Sequence, residues 1–327
     1  MQEITNMVRT FTKALTRTPL YPYWLIFEEA DRGNSKLLKS AHGLVLNIGS
    51  GADDKRQEVE DNPKVRTYIT LDYPAWGKNF QQLRQNSEIF GNISTILFRH
   101  VTPNPNIWGD GYNVPFLNNC IDTVVSLGVL EHIADPIKFL TEHYRVLKPH
   151  GVLLMTTPLL YQSHGGTPAG SDDYIRYTEY GLKHILHEIG FSDIDIRPYG
   201  SFGTALTQLI NSYIIKRTIE KPRIIVYMSM PILAILFFFV NLFGYCINYT
   251  GSDPCYTAGF FVRAKARKLG EKSMTASNWE KLLRCPQCKS KLSYPTRCTV
   301  CDIPFIQPKY GRVYLAPTSY DGSKKNL

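Results

Sequence analysis

The chain has 327 residues, 43% hydrophobic and 20% charged, a balance that supplies a sizeable core, allows two domains and argues against disorder. Its net charge of +9 sits at one end: from Arg263 onward there are 14 Lys and Arg against 4 Asp and Glu, so the preceding residues are nearly neutral and a basic body built for nucleic acid is excluded. Pro19 to Phe27 is apolar but short and ends at Glu28-Glu29, unlike a secretory signal, so the soluble parts are expected in the cytoplasm.

Residues 1–41 read as a helical lead-in, with Val8, Phe11 and Leu15 at helical spacing before breaks at Pro19 and Pro22. Strands are then expected at Leu44 to Ile48, Thr67 to Leu71, Thr95 to Phe98, Ile121 to Leu127 and Val152 to Thr156. Asp135-Pro136 marks a helix start, an N-cap acid before proline, followed by Phe139, Leu140, His143, Val146 and Leu147 on one face; Lys148-Pro149-His150-Gly151 is expected to end it. Thr178 caps a further helix carrying Leu182, Ile185, Leu186 and Ile189, closed by Gly190. Phe191 to Pro198 and Ala258 to Ala264 read as the sixth and seventh strands. Such alternation predicts an α/β fold, a mostly parallel sheet with helices on both faces and its ligand at the carboxyl ends of the strands.

A glycine turn, Gly49-Ser50-Gly51, follows the first strand, and Asp72 ends the second, 23 residues after Gly49. Glycine lets backbone approach a ligand, and an acid at that distance can accept both ribose hydroxyls. Position 54 holds Asp54 where a dinucleotide fingerprint wants glycine. With Gly109-Asp110-Gly111 and Glu131-His132 after the fourth strand, Leu44 to Pro158 resembles the class I S-adenosylmethionine-dependent methyltransferases, in particular a small-molecule subgroup with that Glu-His pair. The resemblance implies a seven-stranded Rossmann-like sheet over residues 42–267. It also implies that Gly49, Ser50 and Gly51 hold the methionine end of S-adenosylmethionine, Asp72 the ribose and Asp110, with Gly111, the adenine, while Val129 or Leu130 lies near the reacting end. Asn47 stands where the family usually has an acid; its amide can still accept a hydrogen bond. Glu131 and His132 are read as structural, opening the helix beneath the cofactor.

Methyl transfer needs a base only if the acceptor must lose a proton. The polar stretch after the fifth strand offers His164 as that base, Asp173 to orient it and Arg176 to hold an anionic group; alternatively Asp173 and Arg176 form a surface ion pair that braces the loop.

Ile224 to Tyr249 is a run of 26 residues without a formal charge inside an insertion over residues 202–256, long enough to cross a bilayer of roughly 30 Å. It lies between the sixth and seventh strands, which the resemblance places side by side, so a single crossing would put neighbours on opposite sides of the membrane. A helical hairpin bent near Pro231 or Gly244, a helix lying in the interface and a buried core or dimer helix remain open. Lys216, Arg217, Lys221 and Arg223 flank the run, suiting attachment to the cytoplasmic face of a membrane.

After a linker at 268–280, residues 281–318 carry Cys285-x-x-Cys288, nine residues, and Cys298-x-x-Cys301, the pattern of a zinc site; residues 319–327 are a tail. The module resembles the zinc ribbon of tRNA-methyltransferase activator proteins, which implies a structural metal and a role as partner or stabiliser of a methyltransferase. Cys120, Cys246 and Cys255 are expected to be packing residues. An overall likeness to methyltransferases of surface-polysaccharide pathways implies O-methylation of a saccharide or glycolipid precursor. The alternatives are an RNA methyltransferase that uses the basic ribbon and a non-catalytic scaffold with a degenerate cofactor fold; oligomeric state is not legible.

Overall fold

The computed structural model describes residues 15–51, 53, 55–73, 105–163, 172–249, 254–268, 270, 272–273, 282–290, 292–293, 297–298, 300–301 and 313–314. Helix α1 (Trp24–Leu38) leads into β1 (Gly43–Ile48), and a short α2 (Arg56–Glu60) into β2 (Val65–Asp72). There follow β3 (Ile107–Trp108), β4 (Ile121–Leu127), α3 (Pro136–Val146), β5 (Leu147–Pro158), α4 (Glu179–Ile189) and β6 (Phe191–Tyr199). Two helices, α5 (Phe202–Ile219) and α6 (Arg223–Tyr249), precede β7 (Gly259–Ala266). Three two-residue strands close the described chain: β8 (Leu292–Ser293), β9 (Arg297–Cys298) and β10 (Val313–Tyr314).

The sheet order is β10-β3-β2-β1-β4-β5-β7-β6, with β7 antiparallel to both neighbours. Side chains alternate across it, as a period of two requires. Leu44, Leu46, Ile48, Val124, Leu153 and Met155 share one core with Phe139 and Leu140 of α3 and Leu182 and Leu186 of α4. Val45, Val125, Val152 and Leu154 share the other with Leu38 of α1 and Val59 of α2. The expected α/β sheet with both faces covered is therefore present.

Several local expectations change. The strand expected at Thr95 to Phe98 and the helical spacing of Val8 and Phe11 lie outside the described residues. Glu131 and His132 do not open α3; they form a separate 3-10 turn, Leu130–His132, and α3 starts at Pro136, where the Asp135 side chain accepts from the Lys138 amide at 3.1 Å. A second N-cap wins because proline at the first helical position needs no amide partner. The helix ends at Val146, just ahead of Lys148 to Gly151, which lead into the fifth strand as expected but already belong to β5. The β4–β5 ladder passes from Ile121–Leu147 to Thr123–Val152, so these residues bulge out of the strand, with His150 at φ 65°.

The insertion folds as a pair of packed helices with its turn at Glu220 to Pro222, before the apolar run; of the alternatives left open, the hairpin bent near Pro231 or Gly244 is not formed, and the run is one continuous helix. Gly244 serves helix crossing instead. A Cβ on Gly203 would stand 2.1 Å from the Gly244 carbonyl oxygen, and one on Gly244 would stand 2.2 Å from Cγ2 of Thr207. Val226, Phe237, Asn241 and Gly244 lie on the buried stripe of α6. Asn241 donates to the carbonyls of Pro19 (2.7 Å) and Tyr21 (2.8 Å), Asn211 to Pro22 (2.7 Å), and Asn248 to Glu29 (3.1 Å) and Thr204 (2.7 Å). The amides of Asn211 and Asn241 satisfy carbonyls ahead of α1, and Asn248 reaches Glu29 within it, so together they tie the N-terminal segment to the helix pair.

The C-terminal module is not a free appendage. Leu282, Leu283, Cys285 and Cys298 belong to the main core, and Phe116 bridges Leu283 through Leu117 N–H to Leu282 O (3.0 Å) and Arg284 N–H to Pro115 O (3.1 Å). The expected seven strands, β1 to β7, form the sheet, and β10 from the C-terminal module adds an eighth at its edge, parallel to β3.

Gly244→Leu is expected to cost about 3 kcal/mol by forcing the helices apart, whereas Phe243→Leu, on the exposed face, stays within about 0.5 kcal/mol of wild type; urea titration of both variants checks this.

Candidate active site

The first half of the site forms where β1 and β2 end. Gly49 and Gly51 take φ values of 76° and 53°, and a Cβ on Gly49 would meet Cγ2 of Val129 at 2.6 Å, so the turn needs glycine and rests on the residues after β4. The Gly49 amide donates to Leu71 O at 2.9 Å, which draws the turn towards the end of β2. There Asp72 accepts from the amides of Gly51 and Tyr73, both at 2.7 Å. Its carboxyl is 6% exposed, and burial pushes its pKa up to about 6 against those two bonds. Each carboxylate oxygen keeps a further lone pair for a ribose hydroxyl.

Asn47 donates to Tyr68 Oη at 2.8 Å, and Tyr68 donates to Asp53 Oδ1 at 2.7 Å; Asp53 pairs with Arg56 at 2.9 Å. Asn47 also donates to Asp53 Oδ1 directly at 3.5 Å, so an acid stands beside position 47, a relation invisible in the sequence spacing. Among the described residues, Asn47 Oδ1 and Ser50 Oγ are buried without a hydrogen-bond partner. Two such atoms beside a glycine turn fit the polar methionine end of S-adenosylmethionine, because a buried acceptor is costly until something donates to it. Asp110 caps the 3-10 turn Gly111–Asn113 by accepting from the Tyr112 amide at 2.8 Å, and the space a Gly111 side chain would fill is taken by Phe139. Both therefore have packing roles irrespective of adenine.

The second half lies at the ends of β4, β5 and β6. Glu131 is 3% exposed, and its backbone carbonyl accepts from the Tyr174 amide at 2.7 Å, while His132 donates from Nδ1 to Asp172 O at 2.9 Å. Burial pushes the Glu131 carboxyl up to about 7; Arg176 opposes that rise and Asp173 adds to it. The phenols of Tyr161 and Tyr199 are held above their ordinary value by burial, with the Glu131 charge adding to it. Asp173 and Arg176 form an ion pair, and the Asp173 side chain is only 4% exposed. The expected ion pair is thus present, with its carboxylate buried and its guanidinium partly exposed. His164 lies outside the described residues.

The four cysteines come together with all sulfurs within 4.8 Å of one another, Cys288 to Cys298 at 3.5 Å and Cys285 to Cys301 at 3.9 Å. A tetrahedron with metal–sulfur bonds of about 2.3 Å has edges of about 3.8 Å, so the donor set fits one zinc ion.

Residues 46–155 match the family model Methyltransf_11, a methyltransferase domain. A Mycolicibacterium smegmatis protein described as a probable S-adenosylmethionine-dependent methyltransferase is 40% identical over 85 residues, 25% of this chain and 33% of that relative, so the match spans a third of the relative's length. Among solved structures, a chain from the complex between the Haloferax volcanii Trm112 methyltransferase activator and a methyltransferase is similar at 15% identity and a TM-score of 0.42, over 74% of this chain and 91% of that one. A Haemonchus contortus phosphoethanolamine N-methyltransferase is similar at 18% identity and a TM-score of 0.41, over 72% and 52%.

S-Adenosylhomocysteine is expected to bind best with Asp72 ionised. Because its pKa is raised to about 6, affinity is expected to hold above that pH and to fall about threefold to tenfold on going down to about pH 5, as a carboxylate available to accept ribose hydroxyls is protonated. Calorimetry across that range checks the direction, and Asp72→Asn removes the pH dependence.

Proposed function

We propose that this chain, whose residues 46–155 form an S-adenosylmethionine-dependent methyltransferase domain, methylates a hydroxyl on a membrane-linked acceptor, a saccharide or glycolipid precursor, from the cytoplasmic face of a membrane. The observation that carries it is the outer face of α6 at the rim of the site. Its exposed side chains are uncharged and mostly large: Ile232 is 70% exposed, Met228 74% and Phe239 60%, with Ile224, Ile235 and Phe243 alongside. An apolar surface of this kind marks an interaction site. Both asparagines of the run turn inward, so none of its polar amides interrupts that face.

Topology supports this reading. Gly259 pairs with both Pro158 and Tyr199, so the helix pair leaves and rejoins the sheet at its carboxyl edge. The cluster that seats the pair contains Tyr23, Ala205 and Phe237, and Leu160, Tyr161 and Tyr199 pack against it. Exposed Lys216, Arg217 and Lys221 at the turn favour anionic headgroups. In this reading Gly49, Ser50, Gly51 and Asn47 hold the methionine end, Asp72 the ribose and Asp110 the adenine. Val129 lies by the methyl, and Arg176, set by Asp173, holds an anionic group of the acceptor. S-Adenosylmethionine supplies an electrophilic methyl when bound.

Each large apolar side chain buried in lipid contributes about 2 kcal/mol. The protein is expected to co-sediment with vesicles containing phosphatidylglycerol, less so with pure phosphatidylcholine, and Ile232→Lys with Phe239→Lys is expected to abolish the association; wild-type protein remaining in the supernatant with both would refute membrane attachment.

The cysteine module, in the same proposal, holds structural zinc and stabilises the domain it packs on, as its resemblance to activator ribbons suggests. Because Cys285 and Cys298 lie in the main core, chelation under reducing conditions should lower the melting temperature of the whole protein by about 5 °C or more, in one transition; a scanning calorimeter with and without chelator checks it.

A further inference from the structure

One buried carboxyl, that of Glu131, stands beside the glycine turn with one of its two oxygens left open. Glu131 follows Val129, the residue against which Gly49 closes, and its Oε1 lies 3.6 Å from where a Gly128 Cβ would be. On its other side are Arg176 and the phenols of Tyr161 and Tyr199. Among the described residues its Oε2 is buried and has no hydrogen-bond partner. Leaving such an oxygen unsatisfied is costly unless a ligand completes it.

We propose that Glu131 is a catalytic residue, its carboxylate facing the transferring methyl and taking the proton of a neutral hydroxyl acceptor bound at the ends of β4, β5 and β6. This rests on the methyltransferase reading above. The acceptor oxygen bonds to the methyl carbon as the carbon–sulfur bond breaks, and that bond's electron pair stays on sulfur; the hydroxyl proton passes to Oε2 of Glu131 and then to water. Other bases are placed differently. Asp173 is paired with Arg176, the two phenols are held protonated by burial, and His132, whose Nδ1 donates to Asp172 O, has its Nε2 3.9 Å from Glu131 Oε1. The groups facing Glu131 are Asp173 and Arg176 from the segment before α4, Tyr161 after β5 and Tyr199 at the end of β6, with His132 beside it at 3.9 Å. Near-neutral titration suits a general base at physiological pH.

The test needs no acceptor. Sinefungin carries a protonated amine where S-adenosylmethionine carries its methyl, whereas S-adenosylhomocysteine carries nothing there. Calorimetry on the full chain should show the ratio of sinefungin to S-adenosylhomocysteine affinity rising roughly tenfold from about pH 6 to about pH 8. Titration of Asp72 affects both ligands alike and cancels in the ratio. Glu131→Gln should flatten the profile while still binding S-adenosylhomocysteine. A flat wild-type ratio with both ligands bound, or a rise that persists in Glu131→Gln, overturns the role of Glu131 and leaves the methyltransferase reading standing. Binding of neither ligand overturns both. Should Glu131→Gln fail to fold, the wild-type profile decides.

Discussion

Strand β7 runs antiparallel between β5 and β6, and that pair of ladders governs most of what surrounds the site. Because β6 ends and β7 begins at the same edge, everything between them must leave and return there, and the long apolar helix is held against the carboxyl ends of the strands. A parallel neighbour would instead need a crossover from the opposite edge. The same geometry brings Tyr199 and the segment after β5 together, so one ladder positions both the wall of the site and the apolar face at its rim.

The helix pair inverts the usual pattern of a surface helix. Its amides point at the protein, where they satisfy the carbonyls of Pro19, Tyr21 and Pro22, and its apolar side chains point outward. For a helix in water the arrangement wastes hydrophobic driving force; beside a lipid phase both faces are satisfied. Gly203 and Gly244 let the two backbones touch, so the pair is fixed by close packing as well as by polar bonds.

Two carboxyls in the site, Asp72 and Glu131, have their pKa values raised by burial, to about 6 and about 7. They differ in what they meet. Both oxygens of Asp72 accept backbone amides, which oppose the rise, whereas Glu131 Oε2 has no hydrogen-bond partner among the described residues. The first is equipped to bind hydroxyls, the second to exchange a proton.

The positions of β1, β2, β4, β5, β6 and β7, the glycine turn, Asp72 and the four cysteines were legible in the sequence because each depends on short-range pattern: apolar runs and period-two burial, φ above zero after a strand, ligand spacing. What lay beyond it depended on contacts between distant segments. Asn47 meets Asp53 both directly, at 3.5 Å, and through Tyr68, Glu131 is enclosed only once Tyr161, Arg176 and Tyr199 gather near it, and the helical pair takes its register from Gly203 meeting Gly244. The turn expected within the apolar run fell instead at Glu220 to Pro222, since local proline and glycine propensities yielded to helix packing. By itself the sequence determined the sheet and the residues available at its edge; tertiary structure alone decided which of them are buried, paired or left open, because desolvation and long-range partners are properties of the folded neighbourhood and not of the residue.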